Sequence, residues 1–404
     1  MPRFLSLILS AALLLSLTAC QKEETVLPES AVETVEPEPV PEPIPEPTPE
    51  ELAAEAVEAI LSDMTVEEKV GQLFFVRCPA ESAAEDAATY HLGGYILFSR
   101  DFKDAAGNWL TREQVEGNIG SYQTASLNDT GIPLLIGSDE EGGTVTRASR
   151  NPNLFESKFK SPQAIAKSAH DQGDVFAEDA WERSNALLAL GINVNLAPVA
   201  DVSTNPNDFI YDRTLGQDAG ATATFVATTV NAMKDAGIGS VLKHFPGYGS
   251  NVDTHTGIAV DRRPYEQFVS EDFLPFSAGM EAGTDPLGRQ TTSVLVSHNI
   301  ITCLDAELPA SLSPEVHRLL REHLLFDGVV MTDDLAMEAV SAYSEDGAVA
   351  VMSLLAGNDL VLTSDYRTQI PKVLEAVENG TLSMELIDTA CRRVLTWKQA
   401  LGLI

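Results

Sequence analysis

The chain has 404 residues, 44% of them hydrophobic, which is enough for one large barrel or two to three average domains. Its formal net charge of −34 argues against nucleic acid as a partner and against electrostatic adhesion to anionic lipid. Beyond Cys20, the cysteines Cys78, Cys303 and Cys391 are odd in number and widely spaced, so they outline neither a metal site nor a disulfide framework and read as buried free thiols.

Residues 1–20 read as a secretory signal: Arg3 precedes an apolar run from Phe4 to Leu17, too short for a comfortable membrane span. The run ends in Leu17-Thr18-Ala19-Cys20, which resembles a bacterial lipobox. In such signals the cysteine is lipidated and becomes the mature N-terminus, so the expectation is an extracytoplasmic protein held to a membrane by a lipid on Cys20. Residues 21–51 carry ten Glu, one Lys and eight Pro. They cannot bury a core and favour extended polyproline II. The thirteen residues from Pro37 to Pro49 would span roughly 40 Å at about 3.1 Å each, a spacer between membrane and body.

From residue 52 to 404 short apolar runs alternate with longer amphipathic stretches, the pattern of parallel strands with crossover helices. The expected strands are Leu73 to Val76, Gly94 to Phe98, Pro133 to Gly137, Val194 to Pro198, Ser240 to Lys243, Ser293 to Ser297, Gly328 to Thr332 and Asp359 to Thr363. Helices are expected at Arg112 to Leu127, Ala164 to Leu190, Thr222 to Ala236, Pro314 to Leu325, Gly347 to Leu355, Ile370 to Glu378 and Met384 to Leu401. Eight strands with no composition break between them make an α/β chain with a single (β/α)8 TIM-type barrel; two doubly wound domains are the alternative.

Polar motifs recur where the strands end: Asp139-Glu140-Glu141-Gly142-Gly143, Asp201, Lys243-His244, Ser297-His298 and Thr332-Asp333-Asp334. In a barrel, C-terminal strand ends converge on one mouth, where active sites sit. The densest stretch, Lys243 to His255, packs a cation, two imidazoles, a carboxylate and two glycines behind the apolar Val241-Leu242, more polarity than a core strand needs. A carboxylate at a strand end, such as Asp333, can stabilise an oxocarbenium-like transition state and then trap it. Asp334 is its neighbour, and adjacent side chains at a strand end point apart, so one of the two should face the mouth while the other caps the helix that follows.

Gly93-Gly94-Tyr95-Ile96-Leu97-Phe98, Asp139 to Gly143, Ala197-Pro198-Val199, Lys243-His244-Phe245-Pro246-Gly247, Asp253-Thr254-His255 and Val330 to Met337 stand in the order seen in glycoside hydrolase family 3, and the Asp-x-His element resembles its β-N-acetylglucosaminidase branch. That resemblance implies a retaining exo-acting enzyme with Asp333 as nucleophile, His255 as acid and then base, and Asp253 orienting the histidine. It also implies that Asp139, Arg147, Arg213, Lys243 and His244 hold the N-acetylglucosamine ring, with no metal or organic cofactor. The expected substrates are N-acetylglucosamine-containing saccharides, peptidoglycan-derived fragments in particular. The sequence departs from the family at Thr144, where an arginine is often found, at Tyr248, where a histidine is usual, and in a shorter loop to Asp253. His298 is left unassigned. A β-N-acetylglucosaminide phosphorylase using the same site and a non-catalytic sugar-binding lipoprotein are the competing readings.

Overall fold

The computed structural model describes residues 46–168, 172–251, 259–337, 340, 343 and 348–404. The calls on the signal, on Cys20, on most of the linker, and on Asp253 and His255 fall outside these residues. One compact unit runs from Pro47 to Ile404.

Its centre is a ring of eight short parallel strands: β1 Phe74–Arg77, β2 Gly94–Leu97, β3 Leu135–Ser138, β4 Val194–Asn195, β5 Gly239–Phe245, β6 Thr292–Val296, β7 Val330–Thr332 and β8 Val361–Thr363. Each pairs with its sequence neighbour, and β8 returns to β1 with Phe74 opposite Val361. Between β7 and β8 the ring closes through Met331 beside Leu360: the Asp359 and Leu360 N–H groups reach the Val330 carbonyl at 2.8 and 3.1 Å. All eight strands expected from the apolar runs are present, each within a few residues of its expected bounds. Burial on both faces is why these strands read as continuous apolar runs instead of alternating ones; every residue of β2, β3, β5 and β6 is buried.

The helices lie outside the ring, and their ends follow local capping chemistry. Thr111 caps Arg112–Asp129 and Asp218 caps Ala219–Ala236, each side chain accepting an N–H from the first turn. The stretch expected as one helix from Ala164 to Leu190 is two, Pro162–Lys167 and Gln172–Leu188; the intervening sequence contains Ser168 and Asp171, poor helix formers. Pro314–Arg318 continues as a π-helical turn over Leu319–His323.

Two expectations need correction. The linker does not extend to residue 51, because a helix spans Pro49–Asp63. Thr48 and Glu51 form a reciprocal capping box there, proline sits at the helix start where it is tolerated, and buried Val57 and Leu61 join the core. This helix meets the closing helix Met384–Ala400 through Glu58 with Arg392 and through the Gln399 amide, 2.9 Å from the Ala53 carbonyl. Cys303 is exposed, in a turn just after the short strand Ile300–Ile301, whereas Cys78 and Cys391 are buried as expected.

Gly94 serves the architecture. It pairs with Leu135, and a Cβ built on it would lie 2.2 Å from the Leu135 carbonyl oxygen, so β2 and β3 approach more closely than any side chain allows. Gly94→Ala is expected to lower the unfolding free energy by at least about 2 kcal/mol, the scale of overpacking in a dense core. Urea unfolding followed by circular dichroism checks it.

Candidate active site

At the C-terminal mouth of the ring lies a cleft of about 580 Å³. Its floor starts where β3 ends. Asp139, Glu140 and Glu141 are consecutive, and extended backbone sends alternate side chains to opposite sides. Asp139 and Glu141 line the cleft. Glu140 turns the other way, where its carboxylate accepts the Arg147 N–H at 2.7 Å, the Ser149 N–H at 3.1 Å and the Ser149 hydroxyl at 2.7 Å. Gly142 and Gly143 both have positive φ, 92° and 63°, so the chain can double back and present Arg147 to the cleft. The Arg147 guanidinium then reaches Asp139 Oδ2 at 3.3 Å.

The opposite wall comes from β5. The pairing of β5 with β6 shifts between Lys243 and Phe245, so that two residues of β5 oppose one of β6. A bulge of this kind re-aims side chains, and it accounts for adjacent residues that both serve the cleft. Lys243 Nζ lies 2.8 Å from Asp139 Oδ1 and 2.7 Å from Glu141 Oε1. Arg213 grips Glu141 with two parallel bonds of 2.9 and 2.7 Å, and its Nη2 is 3.1 Å from His244 Nε2. Since a guanidinium only donates, His244 Nε2 accepts and Nδ1 carries the proton, which it gives to Asp201 Oδ2 at 2.7 Å. Asp201, fully buried, also accepts the N–H groups of His244 and Tyr248 at 3.1 and 2.7 Å. The Tyr248 ring meets the His244 ring edge-on at 5.7 Å.

Burial pushes the Glu141 carboxyl up, but Arg213 and Lys243 outweigh it and hold the group well below the usual carboxylate range. Glu140 is raised by the same burial, which its bonds from Ser149 and the Arg147 N–H and the nearby Arg183 do not offset.

Asp333 follows β7, its N–H bonded to the Val296 carbonyl at 3.0 Å, and lines the cleft. Its Oδ1 accepts the Asp334 N–H at 2.8 Å. Burial raises its pKa, yet His298, His244, that N–H and Lys243 together leave it below the ordinary value. Asp334 goes the other way: burial raises it, and the charge on Asp333 adds to the rise. Its Oδ1 accepts the Ala336 N–H at 3.0 Å, two residues further on. His298 is buried behind them, with Nε2 3.1 Å from the Asp334 carbonyl and Nδ1 2.7 Å from the Ser311 hydroxyl.

The structure thus gathers Asp139, Arg147, Arg213, Lys243, His244 and Asp333 around one cleft. Glu141 and Asp201 were not assigned from sequence. Both belong to strand-end motifs quoted above, and the signal that separates Glu141 from Glu140 is the alternation counted from Asp139. The β5 loop, up to Asn251, is held from outside the cleft: Arg263 binds Asp261 at 2.9 Å, Asp272 at 2.8 Å and the Gly247 carbonyl at 3.2 Å, while the Asn251 amide reaches Asp261 at 2.8 Å. Burial raises Asp272 to about 7 despite Arg263.

Known proteins resemble this chain over most of its length. The family described as Glycosyl hydrolase family 3 N terminal domain matches residues 65–397. A beta-hexosaminidase of Hydrogenovibrio crunogenus is 30% identical over 297 residues, 72% of this chain and 78% of that protein. The beta-hexosaminidase LpqI of Mycobacterium tuberculosis is 30% identical over 410 residues, 98% of this chain and 97% of that protein. Among solved structures, a family 3 beta-N-acetylglucosaminidase from Paenibacillus superposes with a TM-score of 0.74 at 29% identity. That match covers 84% of this chain but only 63% of the Paenibacillus chain, just under two thirds.

Glu141→Gln keeps the shape of the buried network but removes a charge shared by two cations, and breaking such a pair costs about 3–5 kcal/mol. A carboxylate whose pKa is depressed on folding contributes its stability above the unfolded value, about 4.3, and loses it as pH falls below that. The wild-type advantage over Glu141→Gln in urea unfolding is therefore expected in full at pH 7 and to narrow at pH 3. A gap of constant size would mean that the charge is not its source.

Proposed function

The chain belongs to glycosyl hydrolase family 3, and from that membership we propose that it is a β-N-acetylhexosaminidase that removes terminal N-acetylglucosamine with retention of configuration. The observation that carries this reading is the contrast between Asp333 and Asp334. Both line the cleft, but the pKa of Asp333 is held below the ordinary value, whereas that of Asp334 is raised and its carboxylate accepts the N–H of Ala336. A nucleophile must be ionised before substrate arrives, and Asp333 meets that condition at neutral pH.

Across the cleft, Asp139, Lys243, Arg213, His244 and Arg147 form a paired set of donors and acceptors suited to sugar hydroxyls. Because each already has a protein partner, a hydroxyl arrives at a group that is positioned beforehand, with little left to reorganise. In the proposed reaction Asp333 bonds to the anomeric carbon as the leaving oxygen departs with a proton. Water then releases the sugar from the glycosyl-enzyme, restoring the carboxylate.

His255 is the proposed proton donor and later the base for water, with Asp253 holding its ring. The support is the Asp-x-His spacing and the relatives named above, since both residues lie outside the described part of the chain. Peptidoglycan-derived fragments are the proposed substrates and a lipid on Cys20 the proposed anchor, on the strength of the lipobox-like Leu17 to Cys20.

An aryl β-N-acetylglucosaminide should be hydrolysed with the β-anomer released first, as seen by NMR. Asp333→Asn should abolish turnover, and His255→Ala should slow it by about 10²–10⁴, the usual share of general acid–base catalysis. Normal activity in both variants would refute the assignment. Adding inorganic phosphate separates hydrolysis from phosphorolysis, because only a phosphorylase would yield a sugar 1-phosphate.

A further inference from the structure

The two stems of the β5 loop meet on a single guanidinium. Gly247, Gly249 and Asn251 belong to the stem that leaves β5, and Asp261 and Arg263 to the stem that returns, in and just after the short strand Val260–Asp261. Arg263 Nη2 lies 2.9 Å from Asp261 Oδ2 and donates to the Gly247 carbonyl at 3.2 Å, while Nη1 donates to Asp272 Oδ2 at 2.8 Å. The Arg263 Nε and backbone N–H reach Asp261 at 2.9 and 2.8 Å. Asp261 in turn accepts the Asn251 amide at 2.8 Å, so one cation and one carboxylate join both stems.

The partners are themselves anchored. Asp261 pairs with Ile301, and its carbonyl accepts the Thr302 N–H and hydroxyl at 3.0 and 2.9 Å. Asp272 precedes the helix Phe273–Ala282, whose Phe273 and Phe276 rings pack on Phe245 of β5 with centroids 5.8 and 5.2 Å away. The Arg263 guanidinium carbon lies 4.2 Å from the Phe268 centroid. From the loop, Gly249 comes so near that a Cβ on it would lie 2.6 Å from that carbon, and a Cβ on Gly247 would lie 2.1 Å from Asp272 Oδ1. The outgoing backbone is therefore laid directly on the Arg263 and Asp272 side chains.

Stability is a poor explanation of this cluster. One guanidinium serves two buried carboxylates, and Asp272 Oδ1 is buried with no hydrogen-bond partner. Burial, Asp201 and Asp261 all work against the charge on Asp272. An orphaned buried acceptor is costly, and buried ion clusters are seldom more stable than apolar residues of the same volume. What a guanidinium does supply is direction, because its planar fork fixes the groups it binds. In sequence, Asp253 and His255 lie between the tied residues Asn251 and Asp261. A segment tied at both ends has fewer conformations open to it, and a proton donor must come within hydrogen-bond reach of the oxygen it serves.

We propose that Arg263 is a positioning residue for acid–base catalysis: by tying both stems of the β5 loop to each other and to Asp272, it fixes the ends from which Asp253 and His255 serve the leaving oxygen. This rests on the acid–base reading of His255 above. It assigns Arg263, which does not line the cleft, no contact with substrate.

The test compares kcat/KM on two β-N-acetylglucosaminides, one with a phenyl and one with a dinitrophenyl leaving group. Phenolate leaves slowly unless it is protonated, whereas dinitrophenolate leaves without a proton, so the ratio of the two constants reports the acid. His255→Ala should depress the phenyl substrate relative to the dinitrophenyl one by about 10²–10⁴. Arg263→Gln should depress it in the same relative sense by about ten- to a hundredfold, the scale of a misplacement of about 1 Å, and Arg263→Lys by less. In a His255→Ala background, Arg263→Gln should change the ratio no further, because the two residues act on one step. Comparing both substrates within each variant cancels any loss of folded protein. A wild-type ratio in Arg263→Gln, or an undiminished effect in the His255→Ala background, would overturn this inference and leave the acid–base reading standing. A ratio that His255→Ala itself does not change would overturn that reading and this inference with it.

Discussion

The site depends on the pairing of buried charge at the barrel mouth. Lys243, Glu141, Arg213, His244 and Asp201 are all largely withdrawn from water, and each is satisfied by the next: ammonium to carboxylate, carboxylate to guanidinium, guanidinium to imidazole, imidazole to carboxylate. Single ionised groups in such a place would neutralise or drag water in. The chain of partners is stable only if the ends of β3, β4 and β5 and the Arg213 turn hold their places. In return it presents Asp139 and its neighbours to substrate already oriented. Buried ion networks add little net stability compared with an apolar core, so the function that needs them is the better explanation of their presence.

The same field separates the two aspartates after β7. Both carboxyls are largely withdrawn from water, yet His298, His244 and Lys243 act on Asp333, while on Asp334 burial and the repulsion of its neighbour outweigh the N–H of Ala336 and His298. His298 ties the Asp334 carbonyl from behind, so the pair cannot rotate as a unit without breaking that bond. Outside the cleft, the Arg263, Asp261 and Asp272 cluster holds the base of the β5 loop at Gly247 and Asn251. A rigid ring, a buried charge chain and a clamped loop base therefore fix the described part of the site before substrate enters.

Much of this was legible in the sequence, because the ring is built of strands buried on both faces and such strands announce themselves as uninterrupted apolar runs ending in polar motifs. Convergence of those motifs followed from barrel topology alone. Partnership did not. Nothing in Asp139-Glu140-Glu141 says which carboxylate will meet Lys243, since that depends on where β3 stops and on the bulge in β5. Asp201 is a lone aspartate in sequence, and its role exists only because the ends of β4 and β5 lie side by side. Tyr248 had no explanation until its ring was found against His244 and its N–H on Asp201. The helix from Pro49 was hidden by proline-rich composition, although Thr48 and Glu51 carry its capping signal.

The central claim is that Asp333, and not Asp334, forms the bond to the sugar. Incubation with a fluorinated N-acetylglucosaminyl fluoride that is attacked quickly but hydrolysed slowly should trap the intermediate for peptide mass spectrometry. The account predicts one sugar on the peptide containing both residues, with fragmentation placing it on Asp333. An adduct on Asp334, or none despite steady turnover of an ordinary substrate, would contradict it.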